Sequence, residues 1–169
     1  MSHGFAHLGL GTHDMAATIA FYEGMLGFAR VADVQNRVSD GGVVRMVYFE
    51  CGPDQYFVFM EASGVANIPD DYDTSINGAL GVPAGLYHFA LRLPTVAALH
   101  EKKVALESRG LAISGPVDHG YAQSIFVRDP NDLQVEFCCM TRAFNASDLS
   151  QHHDVVVTEP STKRDRKNS

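Results

Sequence analysis

The sequence predicts an α+β fold built from two copies of one βαβββ module. Each half reads as strand, helix, strand, strand, strand, and each opening strand carries a histidine at an equivalent place, His7 and His88. The strand segments alternate apolar and polar residues, and the helical segments repeat apolar residues at spacings of three and four. A chain of 169 residues is long enough for two such halves to share one core.

The first module is predicted over residues 1–62. After the His7 strand, Thr12 to Asp14 offer side chains that can cap a helix, and Gly27 ends that helix. The apolar face of the helix is formed by Met15, Ile19, Tyr22 and Leu26. Three strands follow, at about Ala29–Arg37, Val43–Cys51 and Gln55–Glu61, separated by turn-rich segments.

The second module is predicted over residues 86–144 and repeats this order. A strand at Leu86–Leu93 precedes a helix at Thr95–Arg109, and strands follow at Ala112–Val117, Ala122–Arg128 and Leu133–Met140. A connector over residues 63–85, rich in Gly, Pro, Asp and Asn, is expected to cover the opening of a pocket. The polar tail over residues 145–169 is expected to be largely disordered.

Composition narrows the classes of protein. A formal net charge of −7 and a pI near 5.5 argue against nucleic-acid binding through a basic surface. No apolar run approaches the length of a membrane span, and the N-terminal residues do not resemble a secretion signal, so we expect a cytoplasmic protein. The three cysteines show no zinc-finger spacing and are interpreted as reduced thiols.

Three strands place one potential metal ligand each on their less apolar side. In the Leu86–Leu93 strand, Tyr87, Phe89, Leu91 and Leu93 share one face, and His88 lies on the other. The same alternation puts His7 opposite Leu8 and Leu10, and Glu136 opposite Val135 and Phe137.

These segments resemble the vicinal oxygen chelate superfamily, which includes glyoxalase, the bleomycin and fosfomycin resistance proteins and the extradiol dioxygenases. The resemblance covers about residues 5–140. It is carried by the duplicated modules and by four motifs: His7-Leu8-Gly9-Leu10, Phe21-Tyr22-Glu23-Gly24-Met25-Leu26-Gly27-Phe28, Tyr87-His88-Phe89-Ala90-Leu91 and Asp129-Pro130-Asn131-Asp132-Leu133-Gln134-Val135-Glu136-Phe137.

The resemblance implies that the modules curl into a cup-shaped mixed sheet and that the protein is a homodimer acting on a small molecule. It assigns metal-ligand roles to His7, His88 and Glu136. Two imidazoles and one carboxylate suit divalent iron or manganese, while nickel or zinc remain possible. Three polar residues lining a metal-free binding cup are the alternative.

The turns at Pro53 and Pro130 match in the two modules and indicate where a fourth ligand would lie in the first module. Six residues beyond each proline lie Phe59 and Glu136, so the first-module position is predicted to be apolar. Glu61, two residues further along the strand, stays open as a displaced fourth ligand, a proton-accepting base or a surface carboxylate.

His119 favours the dioxygenase branch of the superfamily. The extradiol fingerprint is nearly matched by Val117-Asp118-His119, Ile125, Asp129-Pro130 and Glu136. The resemblance implies that the histidine helps to bind oxygen or substrate. Phe126 stands where that fingerprint has tyrosine, and Asp132 where it has a small residue, which argues against ordinary catechol cleavage. His119 as a plain turn residue beside Gly120 is the alternative.

Three functional hypotheses follow. The first is an extradiol-type dioxygenase with Fe(II), His119 as acid or base, and an apolar wall made by Phe57, Phe59 and Phe126 if these face the cup. The second is a glyoxalase-like lyase or isomerase with nickel or zinc, in which Glu61 is the base. The third is a metal-free protein that binds a drug-like molecule.

Overall fold

The computed structural model describes residues 4–39 and 41–150, and it confirms the duplicated α+β architecture. The first module contains β1 (His7–Gly11), α1 (Met15–Ile19), β2 (Ala29–Arg37), β3 (Val43–Gly52) and β4 (Gln55–Ser63). The second contains β5 (His88–Arg92), α3 (Val96–Ser108), β6 (Ser114–Asp118), β7 (Ala122–Arg128) and β8 (Gln134–Met140). Between them lies α2 (Ile76–Leu80), and a 3₁₀ turn spans Ala146–Leu149. The predicted disorder of the tail concerns mainly residues 151–169, which lie outside the described residues.

Each module forms one four-stranded mixed sheet with the same strand order. The first sheet runs β1-β4-β3-β2 and the second β5-β8-β7-β6. In both, the opening strand pairs in parallel with the last strand, and the other pairs are antiparallel. The opening strand of each module therefore lies at a sheet edge, directly beside the strand that ends the module.

The first helix departs from the prediction of one regular helix ending at Gly27. Asp14 caps α1 by accepting a hydrogen bond from the Ala17 N–H, but after Ile19 the backbone continues as a π-helical segment over Ala20–Met25. The wider turn lets the consecutive side chains of Phe21 and Tyr22 both enter the core. Apolar spacing alone does not distinguish such a segment from an α-helix.

One hydrophobic core joins the two modules. The π-helical segment packs Tyr22 against Phe59, with ring centroids 4.6 Å apart, and α3 buries Leu99 and Leu106 in the same core cluster. Phe57 of β4 meets Phe89 of β5 at 4.7 Å, which links the sheets directly. Helices cover one face of each sheet, and the histidine-bearing face of the opening strand is turned away from the core.

A buried polar network also ties the modules together. The Tyr22 hydroxyl donates to Asp129 Oδ2 at 3.1 Å, and the Asn131 amide donates to Thr18 Oγ1 at 3.3 Å. Burial raises the pKa of Asp129, although hydrogen bonds from Asn131, Leu133 and Tyr22 oppose that rise. These buried groups satisfy one another across the boundary between the modules, so the network fixes how the modules pack together.

Among the described helices, none has the length and apolar character needed to span a bilayer.

Candidate metal and small-molecule site

Each sheet has one face that packs on the core and an opposite face, the outer face, which carries the histidine of the opening strand. Two of the predicted ligands, His88 and Glu136, meet on the outer face of the second sheet. His88 opens β5, and Phe89 and Leu91 of that strand pack towards the core, so the imidazole points the other way. Glu136 lies on the adjacent parallel strand β8, where it is paired with Ala90. The diagonal offset between neighbouring strands brings the two side chains into contact.

Both ring nitrogens of His88 face oxygen atoms. Nε2 lies 2.9 Å from Glu136 Oε2, and Nδ1 lies 2.8 Å from the carbonyl oxygen of Gly85. A carbonyl can only accept a hydrogen bond, so Nδ1 carries the proton in that contact. Nε2 is then the ring nitrogen directed at Glu136 Oε2.

Glu136 is held from its other side by a serine. Its side chain is buried, and Ser124 of β7 donates a hydrogen bond to Oε1 at 2.5 Å. This contact leaves Oε2 as the carboxylate oxygen that meets His88. Cys138 lies on the same face and contacts Ser124 and Glu136, and burial raises the pKa of its thiol.

His7 does not join this pair within one chain. It lies on the exposed outer face of β1 in the first sheet. Across residues 4–39 and 41–150, no three His, Cys, Asp or Glu side chains are grouped so as to hold a metal ion. The structure thus brings together His88 and Glu136, while the ligand role of His7 stays a prediction.

The strand register corrects the expected position of a fourth ligand. His7 pairs with Tyr56 and Gly9 with Val58, just as His88 pairs with Gln134 and Ala90 with Glu136. Val58 is therefore the first-module counterpart of Glu136, and the assignment of Phe59 was wrong. The β7–β8 connection is longer than the tight turn before β4, so counting from the two prolines shifts the register by one residue.

Glu61 lies on the opposite face of β4 from Val58 and Met60. Its Oε1 accepts a hydrogen bond from the backbone N–H of Met15 at 3.0 Å, at the first turn of α1. A carboxylate there satisfies a free helix N–H and interacts favourably with the helix dipole. The predicted role of Glu61 as ligand or base is not tested by this contact.

His119 lies in the turn between β6 and β7. Its backbone N–H donates to Ala122, which pairs with Met140, and its ring stacks on Tyr121 at 6.0 Å. Met140 is four residues along β8 from Glu136, or about 13 Å at the usual rise of a strand. His119 is thus set at the far end of the outer face, and its catalytic role stays a prediction.

The three phenylalanines proposed as one apolar wall lie on two faces. Phe126 is half-buried on β7 and pairs with Glu136, so it lies beside the carboxylate on the outer face. Phe57 and Phe59 face the core instead, and Phe59 is fully buried against Tyr22. The expectation of a shared wall was therefore wrong for Phe59, whereas Phe57 reaches the cavity between the modules.

A cavity of about 540 Å³ lies between the edge strands β1 and β5. Its walls are mostly apolar and include Leu10, Phe57 and Phe89, and His88 lies on its lining. Five large apolar side chains that are exposed on the surface surround its mouth, namely Phe5, Leu8, Ile76, Leu86 and Tyr87. Ile76 comes from the predicted connector, which therefore contributes to the pocket wall. Such a cavity suits an apolar small molecule with one end near His88.

Two residues that hold the site were missed in the sequence. Ser124 is one of several serines in strand-like segments, and Asn77 is one of many polar residues in the connector. Ser124 contacts a side chain 12 residues away, and Asn77 contacts the backbone of a residue 10 positions away. The only available signal for Ser124 was its even spacing from Phe126, which places both on the same strand face.

Comparison with known proteins agrees with this fold. Residues 4–137 match the model of the Glyoxalase/Bleomycin resistance protein/Dioxygenase superfamily. The chain belongs to this superfamily.

A particular relative is biphenyl-2,3-diol 1,2-dioxygenase 3 of Rhodococcus globerulus, which is 38% identical over 52 residues. That match spans 31% of this chain and only 27% of the relative. The fold is similar to that of TnmS3, an antibiotic-binding protein from Streptomyces sp. CB03234, with a TM-score of 0.57, 20% identity and coverage of 83% of this chain and 98% of the other. It is also similar to lactoylglutathione lyase from Agrobacterium tumefaciens, with a TM-score of 0.58, 19% identity and coverage of 82% and 95%.

Proposed function

We propose that this protein is a metal-dependent oxidoreductase of the extradiol dioxygenase type, with Fe(II) held by His7, His88 and Glu136. The observation that carries the proposal is the contact between His88 Nε2 and Glu136 Oε2 at 2.9 Å, with Nδ1 turned to the Gly85 carbonyl. Ligating histidines typically donate their second ring N–H to a carbonyl or carboxylate in this way. The short, partial match to a biphenyl-diol dioxygenase supports the same reaction class.

The donor set suits the proposed metal. Two imidazoles and one carboxylate on one side of an ion favour Fe(II) or Mn(II) and leave positions for a substrate with adjacent oxygens. When bound, ferrous iron would supply the redox chemistry between dioxygen and substrate. The chain's part is to hold the ligands: Ser124 occupies Oε1 of Glu136, and Oε2 would be the oxygen that binds the metal.

We further propose that His7 reaches the site from a second copy of the chain in a homodimer. Within one chain, the modules are held by the shared core and by the buried contacts of Tyr22 and Asn131, so moving one module towards the other would break them. His7 is exposed on its own sheet, free to meet a neighbour. The exposed apolar rim of the cavity gives such a neighbour surface to bury.

The proposed substrate is an aromatic compound with vicinal hydroxyl groups. The apolar cavity would bind its rings and exclude water, and His88 on the lining would bring the hydroxyl oxygens to the metal. Phe126 beside Glu136 offers an apolar contact and no hydrogen bond. The proposed role of His119 as acid or base requires a substrate that extends along the outer face from Glu136 to the turn between β6 and β7. All three cysteines are free thiols, which supports a reducing compartment such as the cytoplasm.

Anaerobic reconstitution with ferrous iron, followed by oxygen uptake with a panel of catechols including biphenyl-2,3-diol, tests the proposal. We expect stoichiometric iron and substrate-dependent oxygen consumption. Glu136→Gln should abolish both because it removes the anionic ligand, whereas Glu101→Gln, at an exposed position on α3, should leave both intact. No uptake with any catechol by the iron-loaded protein would refute the assignment.

A metal-free small-molecule-binding function is the second candidate. It is favoured by the apolar cavity, and by the lack of a group of three ligands within the described part of one chain. Elemental analysis of the purified, untagged protein separates the two. Stoichiometric iron or manganese supports the enzyme, and metal-free protein that still binds an apolar ligand supports the binding function.

A further inference from the structure

The connector contains a buried asparagine that holds the turn leading into β5. Asn77, in α2, is 3% exposed. Its amide nitrogen donates to the carbonyls of Ala84 and Tyr87, both at 2.7 Å, and its Oδ1 accepts from the Tyr87 N–H at 2.9 Å. Three hydrogen bonds thus fix both ends of a four-residue segment.

The carbonyl that contacts His88 lies inside this segment. Gly85 is flanked by Ala84 and Leu86, and the turn is closed by a hydrogen bond from the Leu86 N–H to the Pro83 carbonyl at 3.0 Å. Because the peptide groups on both sides are held, the Gly85 carbonyl has one direction, towards His88 Nδ1 at 2.8 Å. The His88 ring is oriented in turn, with Nε2 directed at Glu136.

We propose that Asn77 is a positioning residue for His88. It acts through the 84–87 turn, without touching the imidazole, and fixes which ring nitrogen faces Glu136. The metal part of this inference rests on the proposed function, whereas the ring orientation does not.

The test compares Asn77→Ala with Ser75→Ala. Ser75 caps the same short helix by accepting from the Gly78 N–H, and it makes no hydrogen bond to the 84–87 turn. Titration with Co²⁺, followed by its visible absorption, should show about 10- to 100-fold weaker binding for Asn77→Ala and unchanged binding for Ser75→Ala. Equal losses in both variants would overturn the proposal, because loosening of α2 would then suffice.

A second readout uses the metal-free protein. In ¹⁵N-histidine-labelled protein, His88 should give a ring N–H signal protected from solvent exchange, assigned by its loss in His88→Gln. The signal should vanish in Asn77→Ala, weaken in the milder Asn77→Ser and persist in Ser75→Ala. Its persistence in both Asn77 variants would overturn the proposal. If the wild-type protein binds no Co²⁺ but shows this pattern, the proposed metal function fails and the positioning role stands.

Discussion

Ser124 contributes to the site through one hydrogen bond. Its hydroxyl occupies Oε1 of Glu136, so removing it frees the carboxylate to rotate away from His88. We expect Ser124→Ala to weaken Co²⁺ binding about 10-fold, as is typical for loss of a group that orients a ligand. Ser114→Ala, on the exposed neighbouring strand β6, is the control. Equal affinities of Ser124→Ala and wild type would show that Glu136 needs no such support.

Phe126 decides what the outer face can offer a substrate. Its ring lies on β7 opposite Glu136, where a tyrosine hydroxyl would supply a hydrogen-bond donor. Under the proposed function, Phe126→Tyr should raise kcat/KM for catechols by about 10-fold, the equivalent of one hydrogen bond. Oxygen uptake by iron-loaded protein measures this. A fall in kcat/KM would indicate that the substrate requires an apolar contact there.

At the scale of elements, the capping of α1 links a strand to a helix. Glu61 accepts the Met15 N–H, so Glu61→Ala should lower the free energy of unfolding by about 1 kcal/mol. Urea denaturation measures the loss, and Co²⁺ affinity should not change. Loss of turnover in Glu61→Gln, without loss of stability or of bound metal, would instead support the predicted catalytic role.

The order of elements was largely predictable, and their register was not. The alternation in β2 and β7 gave the bounds seen in the structure, Ala29–Arg37 and Ala122–Arg128. The prediction that Phe59 is the first-module equivalent of Glu136 was wrong. The register of a sheet depends on the length of each turn and on bulges such as that near Gly52.

At the scale of the whole molecule, the network between the modules predicts a pH-dependent effect. The Tyr22 hydrogen bond lowers the pKa of Asp129, against the dominant raising effect of burial. Tyr22→Phe should lower the free energy of unfolding by about 1–2 kcal/mol where Asp129 is ionised. The loss of the hydrogen bond raises the pKa of Asp129 further, so the penalty is complete above that pKa and shrinks as pH falls through it.

Denaturation of Tyr22→Phe and wild type at neutral and acid pH checks this sign. The same loss at both pH values would mean that the hydroxyl contributes only packing. Tyr48→Phe, which changes a half-buried hydroxyl on β3, should show little effect at either pH.

The proposed homodimer can be tested by mixing two inactive variants. His7→Ala and Glu136→Gln each lack one ligand at every site. If His7 serves the partner's site, a heterodimer of the two contains one complete site, and an equimolar exchanged mixture should recover about a quarter of the wild-type metal sites. If all ligands come from one chain, mixing restores nothing. Co²⁺ binding after subunit exchange measures the recovery.

The sequence by itself determined the duplicated βαβββ order and the strand faces that carry His88 and Glu136. The order of elements and the strand faces follow from the periodic spacing of apolar residues, which depends only on residues close together in the sequence. Only the tertiary structure decided that Val58 is the first-module equivalent of Glu136. It also decided that Glu61 contacts α1, and that Asn77 and Ser124 hold the two ligands. Those contacts join residues from separate elements, and their geometry is set by turn lengths and packing that no short stretch of sequence encodes.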